Sequence, residues 1–307
     1  MSIFYKNSDY CSLCPRNCKK SRKNGDFGYC KLPDYVLVSR ASLHLWEEPI
    51  ISGKNGSGTV FFTGCNLKCV YCQNKPIIDG LNANHLTIKE LADLFLRIEN
   101  NKAHNINLVT PTPYIEKIIE AIKLAKSNGL KIPIVYNTSG YEKVEMIKIL
   151  NKYIDIYLTD FKYYDNKLGI KYSNVNNYSD ITKLALDEMF KDKNELLIKD
   201  NLLKKGIIVR ILVLPNHYED SKKIIKYLYE KYGDSIYISI LSQYTPTKYI
   251  MENNDYNELK DRIKEKKYNE IINFALDLNI KNCYIQDMNV ALESFIPYFN
   301  ISPIPLK

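Results

Sequence analysis

Three cysteines, in Cys65-Asn-Leu-Lys-Cys69-Val-Tyr-Cys72, are the residues of this chain best suited to redox metal chemistry. Three thiolates are too few to close a four-ligand metal site. They suffice to hold a 4Fe–4S cluster and to leave one iron without a protein ligand. An open coordination position is where a metal does chemistry rather than staple a fold. A second group, Cys11, Cys14, Cys18 and Cys30, supplies four thiols, enough to close either a zinc site or a second iron–sulfur cluster. Gly25 and Gly28 lie within that stretch and let backbone amides approach the sulfurs. Apolar residues are too sparse there to build a core, so a metal is expected to hold together a module spanning residues 1–35. The remaining cysteine, Cys283, falls in a short strand-like run and is expected to be buried and structural.

The elements that must position these residues are legible as an alternation. Thr59-Val-Phe-Phe-Thr63 reads as a strand, so Gly64 and the three cysteines lie on the loop leaving its C-terminal end. Thr87 and Glu90 form a capping box that opens a helix with an apolar face of Ile88, Leu91, Leu94, Phe95 and Ile98. Ile106–Val109 reads as a strand, followed by Thr110-Pro111-Thr112-Pro113, with Thr112 as N-cap and Pro113 as the first helical residue. Further strands are expected over 132–136, 154–158, 207–214, 236–241 and 283–285, separated by helical spans. Strands alternating with helices imply right-handed βαβ units and a parallel sheet. Polar residues fall at the strand ends: Thr110, Thr112, Asn137, Asp160 and Lys162. Arg210 sits mid-strand among apolar neighbours, where its charge needs a partner. Residues 36–58 read as a connecting segment, with His44 packing and Glu47 and Glu48 facing solvent.

Length and composition set the frame. A chain of 307 residues that is 45% hydrophobic and 25% charged has the make-up of one main globular domain with a small appendage. The net charge of +8 is scattered and mixed with acids, as in Lys264-Glu-Lys-Lys267, so no nucleic-acid partner is expected. No apolar run approaches the roughly 20 residues that span a bilayer, and no membrane association is expected. The start, Met1-Ser-Ile-Phe-Tyr-Lys, lacks the apolar core of a signal peptide. Cysteines without a secretion signal argue for metal binding over disulfides, and the expected location is cytoplasmic.

The three-cysteine spacing, with Tyr71 before the last cysteine and Gly64 and Gln73-Asn74 as flanks, resembles the radical S-adenosylmethionine (SAM) superfamily. The flanks are most similar to the branch of the pyruvate formate-lyase activating enzyme. Cys11-Ser-Leu-Cys14-Pro-Arg-Asn-Cys18 resembles a group of activating-enzyme relatives with an N-terminal cysteine motif. The resemblance implies an α/β fold, a partial (β/α)6 barrel over residues 59–307 preceded by the small Cys-rich metal-binding module. It also implies a 4Fe–4S cluster on Cys65, Cys69 and Cys72, chelated SAM, and a 5′-deoxyadenosyl radical that abstracts hydrogen from a substrate. A protein or peptide substrate, such as a glycyl-radical enzyme, goes with it, as does an electron donor of the flavodoxin or ferredoxin type. Two other readings stand beside it: radical modification of RNA or a small molecule, and a non-catalytic, zinc-bearing nucleic-acid-binding protein.

Carried over residue by residue, the resemblance assigns SAM binding to Tyr71, Thr110, Thr112, Asn137, Asp160, Lys162 and Arg210. The family's Gly-Gly-Glu-Pro slot is here Thr110-Pro111-Thr112-Pro113, in which only the proline agrees, so a hydroxyl or carbonyl would replace the carboxylate. The family's Asp-Thr-Asn-Gly is here Asn137-Thr138-Ser139-Gly140. Asp160-Phe161-Lys162 matches Asp-x-Lys, which would pair Lys162 with the SAM carboxylate. Arg210 would face either that carboxylate or an acidic residue of the barrel.

Overall fold

A computed structural model describes residues 5–6, 10–288 and 302–307. The expected N-terminal module and the C-terminal extension therefore lie partly, at 1–4, 7–9 and 289–301, outside the described residues. The strands in chain order are β1 Tyr5–Lys6, β2 Tyr10–Cys11, β3 Val36–His44, β4 Ser57–Phe62, β5 Asn84–Leu86, β6 Ile106–Val109, β7 Ile134–Thr138, β8 Ile156–Asp160, β9 Leu197–Lys199, β10 Leu202–Leu212, β11 Tyr237–Leu241 and β12 Cys283–Ile285. β1 and β2 pair with each other. The rest form one sheet in the order β12-β11-β10-β8-β7-β6-β4-β3-β5, with β9 folded back on the start of β10. From β4 to β12 every pairing along that path is parallel, and β3 and β5 add an antiparallel flank. β5 and β12 end the path without meeting, so the sheet is a partial barrel.

The parallel strands read as continuous apolar runs because both of their faces are covered. β6 and β7 are buried at every position, and β8 at all but Asp160. The helix Ile88–Asn100 starts at the expected capping box: Glu90 N donates to Thr87 Oγ1 at 3.2 Å and Thr87 N donates to Glu90 Oε2 at 2.8 Å.

Several expectations change. β7 and β8 lie two residues beyond the runs 132–136 and 154–158. Pro133 has no N–H to give, and Ile132 N donates to Glu99 Oε1 instead of a neighbouring strand. Ile154 is buried, but its N–H still closes the preceding helix on Leu150 O. Burial therefore begins before pairing does, and Asn137, Thr138 and Asp160 become strand residues whose aim the sheet fixes. Thr112 is no N-cap. It opens a 3₁₀ turn, Thr112–Tyr114, and the α-helix begins at Ile115. Cys283 is only half-buried, on the edge strand β12.

Residues 36–58 do not simply connect. β3 lies antiparallel to β4, and its register sets His44 opposite Ser57, at the N-terminal end of the parallel strands. The turn that follows leads into a short helix, Pro49–Ser52. Its Ile50 and Ile51 pack with Val135, Ile156, Leu158 and Ile208, closing the barrel from below.

Candidate active site

At the opposite, C-terminal ends of the strands lies a cavity of about 570 Å³. The sheet brings every expected SAM-site residue to it: Cys65, Cys69, Tyr71 and Cys72 after β4, Thr110 and Thr112 after β6, Asn137 in β7, Asp160 and Lys162 at the end of β8, and Arg210 in β10. The four N-terminal cysteines lie apart, around a second and much smaller cavity.

A charge network forms one side of the large cavity. Arg210 Nε donates to Asp160 Oδ1 at 2.9 Å and Nη2 donates to Asn137 Oδ1 at 2.6 Å, while Nη1 lies 3.2 Å from Glu47 Oε2. The partner of Arg210 is thus acidic residues of the barrel. Lys162 Nζ donates to Asp160 Oδ2 at 2.6 Å, so its charge already has a carboxylate. Burial works to raise the Asp160 pKa, but Arg210 and Lys162 outweigh it and hold the carboxyl below its usual range. Burial likewise opposes the Lys162 charge, and Asp160 outweighs it to hold the ammonium well above its usual pKa. Glu47 and Glu48 do not face solvent. Both line the cavity floor, and burial pushes both upward in pKa while Arg210 pulls down. Sequence reasoning missed them because Glu47 and Glu48 reach the barrel only through the antiparallel register of β3. His44 also reaches the cavity wall, where burial lowers its pKa to about 4.

Thr110 carries a signal of a different kind. Its φ is +61°, in the left-handed region that a β-branched residue rarely enters, and its N–H donates to Asn137 O at 3.1 Å. Such strain clusters at binding sites.

The cysteine loop is held from several sides. Gly64 has φ +78°, and a Cβ there would stand 2.4 Å from Leu32 Cδ1, so glycine is required just before Cys65. Leu67 N donates to Cys65 Sγ at 3.3 Å and Ser173 Oγ donates to Cys69 Sγ at 2.9 Å. Ser173 shares a hydrogen bond with Tyr163 at 2.8 Å, and Tyr163 shares one with Tyr71 at 2.6 Å. No local pattern marks Ser173 or Tyr163, which lie about a hundred residues downstream of the loop. Burial, then Cys69, pushes the Cys72 thiol up to about 12, and Cys65 also rises. All eight cysteines are free. Among the described residues, no group of three or more His, Cys, Asp or Glu side chains is placed to hold a single metal ion. Cys65, Cys69 and Cys72 all line this one cavity, and a cluster would take one thiolate on each of three iron corners. Glu48 Oε2 and Ser139 Oγ are buried in the same wall without hydrogen-bond partners, as acceptor and donor for a polar ligand. The residues present fit a three-thiolate cluster with a polar ligand beside it.

Behind Thr112 lies a carboxyl that the sequence did not reveal. Glu142, 1% exposed, accepts hydrogen bonds from Thr112 Oγ1 at 2.5 Å and from Thr138 Oγ1, while its Oε2 has no partner. Burial raises its pKa from 4.5 to about 7. An acid raised in the folded state stays protonated while the unfolded chain ionises, so stability falls as pH rises from about 4.5 to 7 and then levels. The shift corresponds to about 3 kcal/mol. Glu142→Gln should remove most of that slope in denaturant titrations at stepped pH; an unchanged slope would show that Glu142 ionises normally.

The sequence matches the model of the Radical SAM superfamily over residues 59–228, more than half of the chain. The chain belongs to the radical SAM superfamily. An uncharacterized protein of Methanocaldococcus jannaschii is 31% identical over 89% of this chain and 76% of its own length. The pyruvate formate-lyase-activating enzyme of Clostridium pasteurianum is 27% identical over 58% of this chain and 70% of its own. Among solved structures, SuiB of Streptococcus suis, bound to precursor peptide SuiA, aligns with a TM-score of 0.49 at 17% identity. That alignment covers 73% of this radical SAM chain and 46% of SuiB, so the chain spans about half of SuiB's length. The cofactors of this radical SAM protein are a 4Fe–4S cluster and SAM. No helix among its described residues is long and apolar enough to cross a membrane.

Proposed function

We propose that this radical SAM enzyme holds its cluster on Cys65, Cys69 and Cys72, binds SAM with the strand-end residues, and generates a carbon radical on a protein or peptide. The observation that carries this reading is the meeting of the cysteine loop and the polar ends of β6, β7, β8 and β10 around one cavity of about 570 Å³. When bound, the cluster supplies the electron, and SAM the 5′-deoxyadenosyl group, for hydrogen abstraction. The chain's own residues do the rest. Lys162 and Arg210 present cations for a carboxylate, and Asn137 and the Thr110 and Thr112 hydroxyls offer uncharged hydrogen-bonding groups for the amino and ribose groups. Glu47 lines the floor of the cavity, and Ile50 and Ile51 pack against the strands on that side. Trp46 and Tyr249 line the same cavity while 66% and 47% exposed. Exposed aromatic residues lining a cavity are the anchors that protein interfaces favour, which supports a macromolecular substrate over a small one. The relationship to a pyruvate formate-lyase-activating enzyme points the same way. The reductant in this reading is a flavodoxin- or ferredoxin-type protein.

Anaerobic reconstitution with iron and sulfide, followed by dithionite and SAM, should release 5′-deoxyadenosine; no release from protein that carries iron and sulfide would refute the reading. Transfer of deuterium from a labelled peptide into 5′-deoxyadenosine would identify the substrate. A charge-assisted hydrogen bond contributes about 1.5–3 kcal/mol, so Lys162→Ala should weaken SAM binding by roughly ten- to a hundredfold while the cluster's absorbance persists. Equal affinities in a SAM titration would leave Lys162 to Asp160 alone and remove it from the ligand site.

A further inference from the structure

We propose that Cys11, Cys14, Cys18 and Cys30 hold a second 4Fe–4S cluster, and that it passes electrons to the first site through the wall the two sites share.

The donor set comes first. All four thiols line one small cavity, and no His, Asp or Glu lines it with them. Thiolate-only sites select zinc or iron–sulfur clusters. Gly28 stands between two of the thiols: a Cβ there would lie 3.3 Å from Cys18 Sγ and 3.5 Å from Cys30 Sγ, filling the space beside both. Zinc would need all four thiolates to converge on one point at about 2.3 Å, whereas a cluster would take one on each of its irons. Arg16 and Arg22 line the same cavity, and their charges offset those of a tetrathiolate cluster.

The second observation is position. Asn66, the residue after Cys65, lines both cavities. Arg16 Nε donates to Asn66 O at 2.7 Å and Nη2 donates to Leu67 O at 3.2 Å, while Leu67 N donates to Cys65 Sγ. Leu32 packs on Gly64 at the other side of Cys65. A structural zinc needs no such adjacency; an electron relay does. The outer face of the module is basic. Lys19, Lys20, Lys23 and Lys31 are exposed there, with Asp26 the only acid between residues 10 and 31. An acidic one-electron carrier of the flavin or iron–sulfur class complements that face. One electron enters from this carrier at the N-terminal thiolates and leaves for the site at Cys65, with no bond made or broken and no proton moved.

The recipient of the electron rests on the function proposed above, but the second cluster does not, and the experiment separates them. The Cys65→Ala/Cys69→Ala/Cys72→Ala variant, reconstituted anaerobically, should retain about four iron and four sulfide ions per chain and a reducible cluster signal in low-temperature EPR. Zinc alone, or no metal in a folded variant, overturns the second cluster whether or not the wild type cleaves SAM. The Cys14→Ser/Cys18→Ser variant should still release 5′-deoxyadenosine with dithionite but lose the reaction driven by reduced flavodoxin or ferredoxin. A carrier-driven rate equal to wild type overturns the relay. Loss of both reactions also overturns it, because the thiols would then serve the stability of the first site.

Discussion

Alanine at Cys65, Cys69 or Cys72 should abolish 5′-deoxyadenosine release, each alone and to the limit of detection. The expectation follows from ligand count. Three thiolates are the fewest that keep a cubane cluster seated with one iron open, and two leave a second iron without a protein ligand. Among the described residues, no spare thiol stands ready to substitute. Cys283 lies on the edge strand β12, and the N-terminal cysteines line a separate cavity. Asn66 is committed elsewhere, its Nδ2 donating to Tyr141 O at 2.9 Å. Iron and sulfide analysis should fall with activity in each variant, while far-ultraviolet circular dichroism stays native, because the loop's backbone is also held by Gly64 against Leu32 and by Arg16 on the Asn66 and Leu67 carbonyls. A triple variant that still released 5′-deoxyadenosine with dithionite would end the assignment of this loop.

The second large effect is expected at Asp160, through stability. Its two oxygens serve two cations, Arg210 through Oδ1 and Lys162 through Oδ2. Arg210 also has Glu47, but among the described residues Lys162 makes no second ion pair. Asp160→Asn therefore leaves a largely buried ammonium without a counter-charge. Removing one partner of a buried pair costs about 3–5 kcal/mol, and the lower figure applies because the three side chains retain 16–21% exposure. The pH dependence has a definite sign. A carboxyl whose folded pKa is depressed contributes stability above its unfolded value, and that contribution disappears as pH falls from 3.8 through the lower folded value. Urea titrations should show this acid limb in the wild type and lose it in Asp160→Asn. A variant within about 0.5 kcal/mol of wild type at neutral pH would mean that solvent, not Asp160, carries the two charges.

Much of this arrangement could be read from residues close together in the chain. The three cysteines announce themselves by spacing, the capping box at Thr87 by three residues, and the parallel sheet by its apolar runs. Strand ends were harder. Apolar residues at the entrance to their strands, Ile132 partly buried and Ile154 fully, pack before they pair, so a hydrophobic run overstates where pairing begins. What escaped altogether are residues whose role depends on distant partners. Glu47 and Glu48 resemble a solvent-facing pair until the register of β3 places them under Arg210. Glu142 becomes part of the site only because Thr112 bonds across to it rather than capping its own helix. Ser173 meets Cys69 across 104 residues of chain, and no local pattern encodes that contact.

The way the N-terminal module is fastened bears on whether it can be exchanged between relatives. Arg16 donates to four carbonyls, those of Asn66, Leu67, Ser173 and Asn174, and Arg22 adds a bond to that of Pro113. Leu32 fills the space that Gly64 leaves bare. A cut after residue 35 would therefore not release a self-sufficient barrel; it would strip the loops after β4 and β6, and the C-terminal end of the helix Asn166–Ser173, of the groups that satisfy them. Side-chain bonds from Arg16 and Arg22 cross the boundary drawn at residue 35. A graft of another protein's cysteine module onto residues 36–307 would have to bring its own equivalents of Arg16, Arg22 and Leu32, and a graft that matched only the cysteines would hold metal beside a loop it failed to support.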